Sequence, residues 1–187
     1  MAVPVAVVDA NVLYSIVLTG LLLTLASRRL VRLHWSPEIL DEVRRNLARR
    51  PNVSQAAIDY RIARMNIAMP SALDQAPAAL VASMPINDKD RHVLALAVHV
   101  EAGVIVTSNL RDFLAKACAP YGVEAVSPDD FVVAIADADV VAVRRALEDI
   151  AGRRTRPPMR VTELLDRLSP MLPAFAERMI APDSPQE

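Results

Sequence analysis

Short apolar segments that end at acidic or polar residues are the feature that most constrains how this chain folds. Residues 4–8 form a valine-rich run typical of a buried strand, and the run ends at Asp9, where a helix is predicted to begin. Residues 104–107 and 123–126 have the same character, and helical segments lie between the three runs. Strands that alternate with helices predict an α/β domain with a parallel sheet, which binds ligands at the carboxyl ends of its strands.

Capping residues predict where the helices begin. Ser36-Pro37 combines an N-cap with proline at the first helical position, so a helix is expected from Pro37 to about residue 49. Ser54 is expected to cap the next helix, and Asp88 one that ends near residue 103. We predict a three-layer α/β domain over residues 1–135, and a small helical extension with a disordered tail over residues 136–187.

Composition excludes several classes of protein. With 53% hydrophobic residues in 187, the chain can bury a core, and its single cysteine, Cys118, excludes an internal disulfide framework. The longest apolar run, residues 12–26, is shorter than the roughly 20 residues that span a bilayer, so a buried helix is expected. A signal peptide would require basic residues ahead of its apolar stretch, and none precedes this run. We therefore expect a cytoplasmic protein with no membrane segment.

Arginine is concentrated in the first half of the chain. Residues 28–64 contain nine arginines against four acidic residues, a local charge of +5. Arginine suits phosphate contacts because its planar guanidinium can donate two hydrogen bonds at once, but a GC-rich genome explains the same bias equally well.

Four acidic residues flank core segments and form the candidate site: Asp9, Glu42, Asp90 and Asp112. Asp9 follows the first strand and Asp112 lies in the loop after the second predicted strand, so both are expected at one edge of the sheet. Carboxylates gathered at neutral pH repel one another, and a hard divalent cation with oxygen ligands relieves that repulsion. The pattern predicts a magnesium or manganese site.

A second interpretation of the same acids stays open, because each could be an ordinary helix cap. Asp90 argues for the site, since helical periodicity places it on the inward stripe with Val93, Leu94 and Ala97. Glu42 lies nearer the buried stripe of its helix than Asp41, which we expect to form ion pairs on the solvated face. The histidines lack an accompanying nucleophile, and no glycine-rich phosphate loop is present.

The segments VAVVDANVLYS, SPEILDEVRRNL and DKDRHVLALAVHVEAGVIVTSNLRDF, in this order, resemble the PIN-domain nucleases, especially the VapC-type toxins of bacterial toxin–antitoxin pairs. The resemblance covers roughly residues 3–132. It implies that Asp9, Glu42, Asp90 and Asp112 are the catalytic acids, and that Asp9, Asp90 and Asp112 hold the metal ion. Glu42 would orient or deprotonate the attacking water.

The resemblance also implies four supporting residues. Asn11 would steady the loop that holds Asp9, and Thr107 and Asn109 occupy a T-x-D stretch in which many relatives carry a second acid. An amide at position 109 removes one negative charge, which puts a second tightly held metal in doubt. Asp88 would restore part of that charge.

By the same resemblance, the chain is expected to be a toxin that hydrolyses RNA with Mg²⁺ or Mn²⁺, with transfer or ribosomal RNA as a typical target. Its expected partners are a cognate antitoxin that covers the acidic groove and a second copy in a homodimer. The expected RNA-binding residues are Arg44, Arg45, Arg49 and Arg111.

Two rival functions remain at this stage. A catalytically silent PIN-like module would use the arginine surface to bind RNA or protein, although the presence of all four acids argues against it. A phospho-accepting or phosphatase-like α/β domain with Asp9 as nucleophile usually needs a lysine at the end of a later strand or a second aspartate two residues later, where this chain has Asn11.

Overall fold

The computed structural model describes residues 3–153 and 157–180 of the chain. The predicted disordered tail falls in the last residues, 181–187, and lies outside the described residues.

A four-stranded parallel sheet forms the centre of the domain, in the order β2-β1-β3-β4. Its strands are β1 (Val5–Val8), β2 (Arg32–His34), β3 (Val104–Val106) and β4 (Glu124–Val126). Helices pack against all four strands, and the two inner strands, β1 and β3, are the most deeply buried. Val7 and Ile105, for example, have no exposed surface. The predicted α/β architecture with a parallel sheet flanked by helices is therefore confirmed.

The strand β2 was not among the three predicted strands. It has only three residues, and its sequence of arginine, leucine and histidine gives no apolar run from which a strand could be predicted. Trp35 follows it directly and is completely buried. The Trp35 backbone N–H donates to Ala72 O at 2.9 Å, and its indole N–H donates to Asn66 Oδ1 at 2.9 Å, so contacts beyond the strand fix this edge.

Helices connect the strands and form the C-terminal region. Within the described ranges the α-helices are α1 (Ala10–Leu13), α2 (Ile16–Ser27), α3 (Pro37–Ala48), α4 (Gln55–Ala68), α5 (Ala78–Ser83), α6 (Arg91–His99), α7 (Ala115–Cys118), α8 (Pro128–Ala138), α9 (Val140–Gly152), α10 (Val161–Leu168) and α11 (Pro173–Ile180). None of these helices is long and apolar enough to cross a membrane.

Serine caps set several helix starts, as the sequence predicted for α3 and α4. Ser15, Ser36, Ser54 and Ser127 each accept a hydrogen bond from the backbone N–H three residues later. The apolar run of residues 12–26 is helical but divided, because Ser15 leaves helical geometry to cap α2.

The prediction for the start of α6 was wrong. The helix begins at Arg91 rather than after Asp88, because the backbone N–H of Asp90 bonds to Asn87 O at 2.9 Å and closes a turn ahead of the helix. Asp90 is thus the N-cap residue, although its side chain makes no capping hydrogen bond. Its carboxylate therefore lies at the N-terminus of the helix, where the side chain is 16% exposed.

The C-terminal helices pack against the sheet domain. Helix α9 lies on α2, where Arg28 donates to Asp149 Oδ2 from Nε at 2.9 Å and from Nη2 at 2.6 Å. Asp129 on α8 accepts hydrogen bonds from the backbone N–H groups of Ala174 and Phe175 at the start of α11. Helix α8 crosses the predicted boundary between residues 135 and 136, so no linker separates the two predicted regions there.

Candidate active site

Asp9 occupies the carboxyl end of β1 and is 7% exposed. Its Oδ1 accepts from the backbone N–H of Ala10 at 2.6 Å, so Asp9 caps α1. Its Oδ2 accepts from Thr107 Oγ1 at 2.7 Å and from Asn11 Nδ2. Asp9 is therefore both a cap and a buried carboxylate with donors on both oxygens.

Asn11 and Thr107 join the loop after β1 to the loop after β3. Asn11 Nδ2 lies 3.0 Å from Thr107 Oγ1, and Asn11 Oδ1 accepts from the backbone N–H of Ser108 at 2.9 Å. Thr107 has no exposed surface, and its hydroxyl also accepts from the backbone N–H of Asn109 at 3.0 Å. The Asn109 side chain makes no hydrogen bond to the described residues, so only its backbone takes part in this network.

Glu42 projects from α3 and is half-buried beside His92 of α6. His92 Nε2 lies 3.0 Å from Glu42 Oε1. Burial lowers the pKa of His92, which disfavours the protonated ring at this contact. His92 Nδ1 is enclosed and has no hydrogen-bond partner in the described chain.

Asp90 and Asp112 are brought together by a lysine. The Lys89 ammonium lies 2.8 Å from Asp112 Oδ2 and 3.5 Å from Asp90 Oδ2. Asp112 ends a 3-10 turn, Leu110–Asp112, that follows β3. Asp90 Oδ2 is enclosed and accepts no hydrogen bond from any described residue. Its polar contact is the longer ion pair with Lys89.

Burial and the charges of neighbouring acids raise the pKa of Glu42 and of Asp90. Burial raises the pKa of Glu42, and the negative charges of Asp9 and Asp90 raise it further. Burial likewise raises the pKa of Asp90, Lys89 lowers it, and the charges of Asp112 and Asp9 raise it. Burial also raises the pKa of Asp9, although its hydrogen bonds from Thr107 and Ala10 act in the opposite direction.

The donor set suits a magnesium-like ion held by few protein ligands. Among the residues that the structure describes, no three His, Cys, Asp or Glu side chains are arranged around one metal position. Two carboxylates, Asp90 and Asp112, do share one cation, and the Oδ2 of Asp90 has no other polar partner. Mg²⁺ is usually held through one or two carboxylates and keeps several waters, so this arrangement fits it.

Not every residue predicted for the site lies in it. The side chain of Asp88 is 90% exposed and pairs with Arg91 at 3.1 Å, so it adds no charge between the acids. Arg44 is paired with Asp41 and with Asp59, the latter at 3.1 Å, as expected for the solvated face of α3. Arg45 instead borders a shallow pocket that includes Glu42, Lys89 and His92.

Arg49 and Arg111 are exposed at the margin of the site. Arg49 lies close enough to Tyr14 to lower the pKa of its hydroxyl, although burial and the charge of Glu42 raise that pKa by more. Arg111 lies in the turn beside Asp112, on the side of the sheet where the acids gather.

An apolar groove of about 970 Å³ adjoins the site between α2 and α4. Asn11 and Tyr14 line the groove as well as the region of the acids, and Tyr14 Oη accepts from Asn46 Nδ2 at 2.6 Å. Apolar side chains form much of its wall and arginines contribute polar groups: Ile16, Leu23, Ile58, Met65, Met171, Arg50, Arg61 and Arg64.

Sequence reasoning missed Lys89, His92 and Tyr14. Lys89 and Tyr14 were not among the predicted site residues, and the histidines were set aside because no nucleophile accompanies them. The spacing does contain a signal, because Lys89 adjoins Asp90 and precedes His92 by three residues. The signal can be used only when the start of α6 is known, because Lys89 lies in the turn before the helix and its direction does not follow helical periodicity.

Comparisons with known proteins show which sequences the chain resembles. A family model described as "PIN domain" matches residues 5–111, and one described as "VapC50 C-terminal domain" matches residues 128–179. "Putative ribonuclease VapC50" of Mycobacterium tuberculosis (strain ATCC 25618 / H37Rv) is 39% identical over 99 residues, which are 53% of this chain and 59% of that protein. The match thus spans less than two thirds of that relative's length.

No solved structure matches the chain significantly. The PIN-domain model nevertheless covers more than half of the sequence, and the second model accounts for most of the C-terminal helices. The resemblance to VapC-type PIN proteins that the sequence suggested is confirmed, and the chain belongs to the PIN-domain family.

Proposed function

We propose that this protein is an endoribonuclease that depends on Mg²⁺ or Mn²⁺ and acts in the cytoplasm as the toxin of a toxin–antitoxin pair. The observation that carries the proposal is a set of contacts: Thr107, after β3, donates to Asp9 at the end of β1, and the Lys89 ammonium contacts both Asp90 and Asp112. His92 of α6, two residues after Asp90, contacts Glu42. Membership of the PIN-domain family and the similarity to a protein named as a ribonuclease support it.

Each acid has a role that its surroundings suit. Asp90 and Asp112 would hold the cation directly and Asp9 would do so through a bound water, since carboxylates are the hard oxygen donors that Mg²⁺ prefers and only Asp90 and Asp112 share one cation among the described residues. The chemistry that such an ion supplies when bound is neutralisation of phosphate charge and activation of a water for attack on phosphorus.

Glu42 would position that water or accept its proton. Its pKa is raised by burial and by the neighbouring acids, which makes it a better base than an exposed glutamate. The hydrogen bond from His92 fixes the orientation of its carboxylate.

RNA would reach the acids across the arginine-bearing margin. Arg45, Arg49 and Arg111 are exposed near the site and could contact successive phosphates, which adds affinity without reading sequence. Arg44 is a weaker candidate than expected, because two carboxylates already neutralise it.

The proposed partner is a cognate antitoxin, and a homodimer is proposed as the assembly. The apolar groove beside Tyr14 offers a surface that a partner segment could cover while reaching the acidic site. Exposed Ile16 and Tyr60 at this groove are large apolar groups that a protein partner would bury.

The test is cleavage of total bacterial RNA by the purified chain with Mg²⁺, Mn²⁺ or EDTA, followed by mapping of the cut ends. We expect discrete cuts that require the metal and that decline by about 100-fold or more in Asp90→Asn, because a metal ligand is lost. Asp88→Asn is the matched control, since Asp88 is the same residue type two positions earlier but faces solvent. Binding of RNA and Mn²⁺ with no cleavage would favour the silent module instead.

A further inference from the structure

The position of Lys89 between two acids is unlike that of an ordinary surface lysine. Its ammonium contacts carboxylates from two separate parts of the chain, the turn before α6 and the 3-10 turn after β3. Asp112 lies 23 residues from Lys89 in the sequence, so the contact depends on the fold rather than on helical spacing.

The environment of Asp90 shows why a cation belongs there. Its side chain is 16% exposed, and its enclosed Oδ2 accepts no hydrogen bond from the described residues. A carboxylate in that state needs a positive charge nearby, and Lys89 Nζ supplies one.

Lys89 is also free to leave. Its side chain is 64% exposed, so the ammonium can return to water without unpacking the core. Because the lysine end of each ion pair lies largely in water, solvent screens the attraction and the ammonium can be exchanged for a stronger cation.

We propose that Lys89 is a built-in counter-ion of the acidic site, whose ammonium occupies the place between Asp90 and Asp112 that a divalent cation takes, and which must swing out for the cation to bind. The inference rests on the proposed metal-dependent function. The exchange replaces one positive charge by two, so the ammonium lowers the affinity for the divalent ion while keeping the two acids together in its absence.

The first experiment titrates the full chain with Mn²⁺ in an isothermal calorimeter. Lys89→Met removes the charge and keeps the length of the side chain, and we expect it to bind Mn²⁺ about tenfold more tightly, a coupling typical of two ligands that compete. Lys89→Arg keeps the charge and should bind like the unaltered chain. Lys116→Met, at the second of the two lysines, is the matched control and should also bind unchanged.

The second experiment needs no substitution, so it does not depend on how a variant folds. The two lysine amines of the unaltered chain are acetylated briefly with and without Mn²⁺, and each site is quantified by mass spectrometry. Displacement predicts that acetylation of Lys89 rises severalfold with Mn²⁺ relative to that of Lys116.

The outcomes separate this inference from the proposed function. If all the chains bind Mn²⁺ equally and labelling of Lys89 does not change, Lys89 is not a counter-ion, and the metal-dependent function stands. If neither the unaltered chain nor Lys89→Met binds Mn²⁺, the metal site itself is wrong and the inference is overturned with it. Tighter binding by Lys89→Met alone, with greater labelling of Lys89, supports both.

Discussion

The two halves of the acidic site are held in different ways. Asp9 is buried at 7% exposure and receives hydrogen bonds from three groups of its own chain. Asp90 and Asp112 are instead joined through the ammonium of a side chain that is 64% exposed. The first half is thus preorganised by the fold, whereas the second half is arranged around a cation that can be exchanged.

The largest effect on this comparison is expected at Thr107, which fixes the Asp9 half. Thr107→Val keeps the shape but removes the hydroxyl that donates to Asp9 Oδ2, so a buried carboxylate loses a donor. We expect the free energy of unfolding in EDTA to fall by about 2 kcal/mol, as is typical when a buried polar group is left unsatisfied. Urea denaturation followed by circular dichroism measures it.

Thr107→Ser is the control, because it retains the hydroxyl and loses only a methyl group. Equal losses in the valine and serine variants would show that packing, and not the hydrogen bond to Asp9, holds this half of the site.

A smaller effect, of opposite sign, is expected from Asp90→Asn in EDTA. Because the folded-state pKa of Asp90 is raised, the folded chain keeps its proton to a higher pH than the unfolded chain, whose value is near 3.8. The stability due to Asp90 is therefore greatest at low pH and falls as the pH rises from 3.8 through the folded pKa. In the Asp90→Asn variant this contribution to the free energy of unfolding does not decrease with rising pH, because asparagine does not titrate.

The gain in Asp90→Asn should stay below about 1 kcal/mol near neutral pH, because Lys89 already offsets part of the repulsion and solvent screens the rest. Urea denaturation of both chains at a series of pH values checks it. A variant that is less stable than the unaltered chain at every pH would indicate that Asp90 is chiefly structural.

The smallest effect is expected at the margin of the site, where exposed arginines are proposed to contact RNA. Arg45→Ala should weaken binding of single-stranded RNA and reduce the slope of log K against log salt by about 0.7, the value for one lost phosphate contact. Arg44→Ala is the control one residue earlier, and its effect should be smaller because Asp41 and Asp59 already pair with Arg44. Filter binding over a range of salt concentrations measures both slopes, and equal slopes would remove Arg45 from the RNA path.

Much of this arrangement could be predicted from the sequence. A valine-rich run followed by an acid locates Asp9, and the rule that parallel strands share one carboxyl edge brings the loop of Asp112 to it. The amphipathic pattern of α3 likewise indicated that Glu42, and not Asp41, lies towards the core.

The remainder depended on contacts that local patterns do not encode. The strand β2 is too short to be detected from sequence periodicity, and it forms because its backbone pairs with that of β1. The start of α6 depends on a turn closed by Asn87, and this turn decides that Lys89 reaches Asp112 and that His92 reaches Glu42. The partners in these two contacts are 23 and 50 residues apart in the sequence, so the tertiary fold alone brings them together.

Trp35 has a practical consequence for all of these measurements. It is the single tryptophan of the chain, it is completely buried, and its indole N–H is bonded to Asn66 on α4. Its emission should therefore lie at short wavelength in the folded chain and shift to the red when β2 separates from α4 and water reaches the ring. The protein thus carries its own optical reporter, at a defined point of the fold, and unfolding can be recorded without attaching a dye.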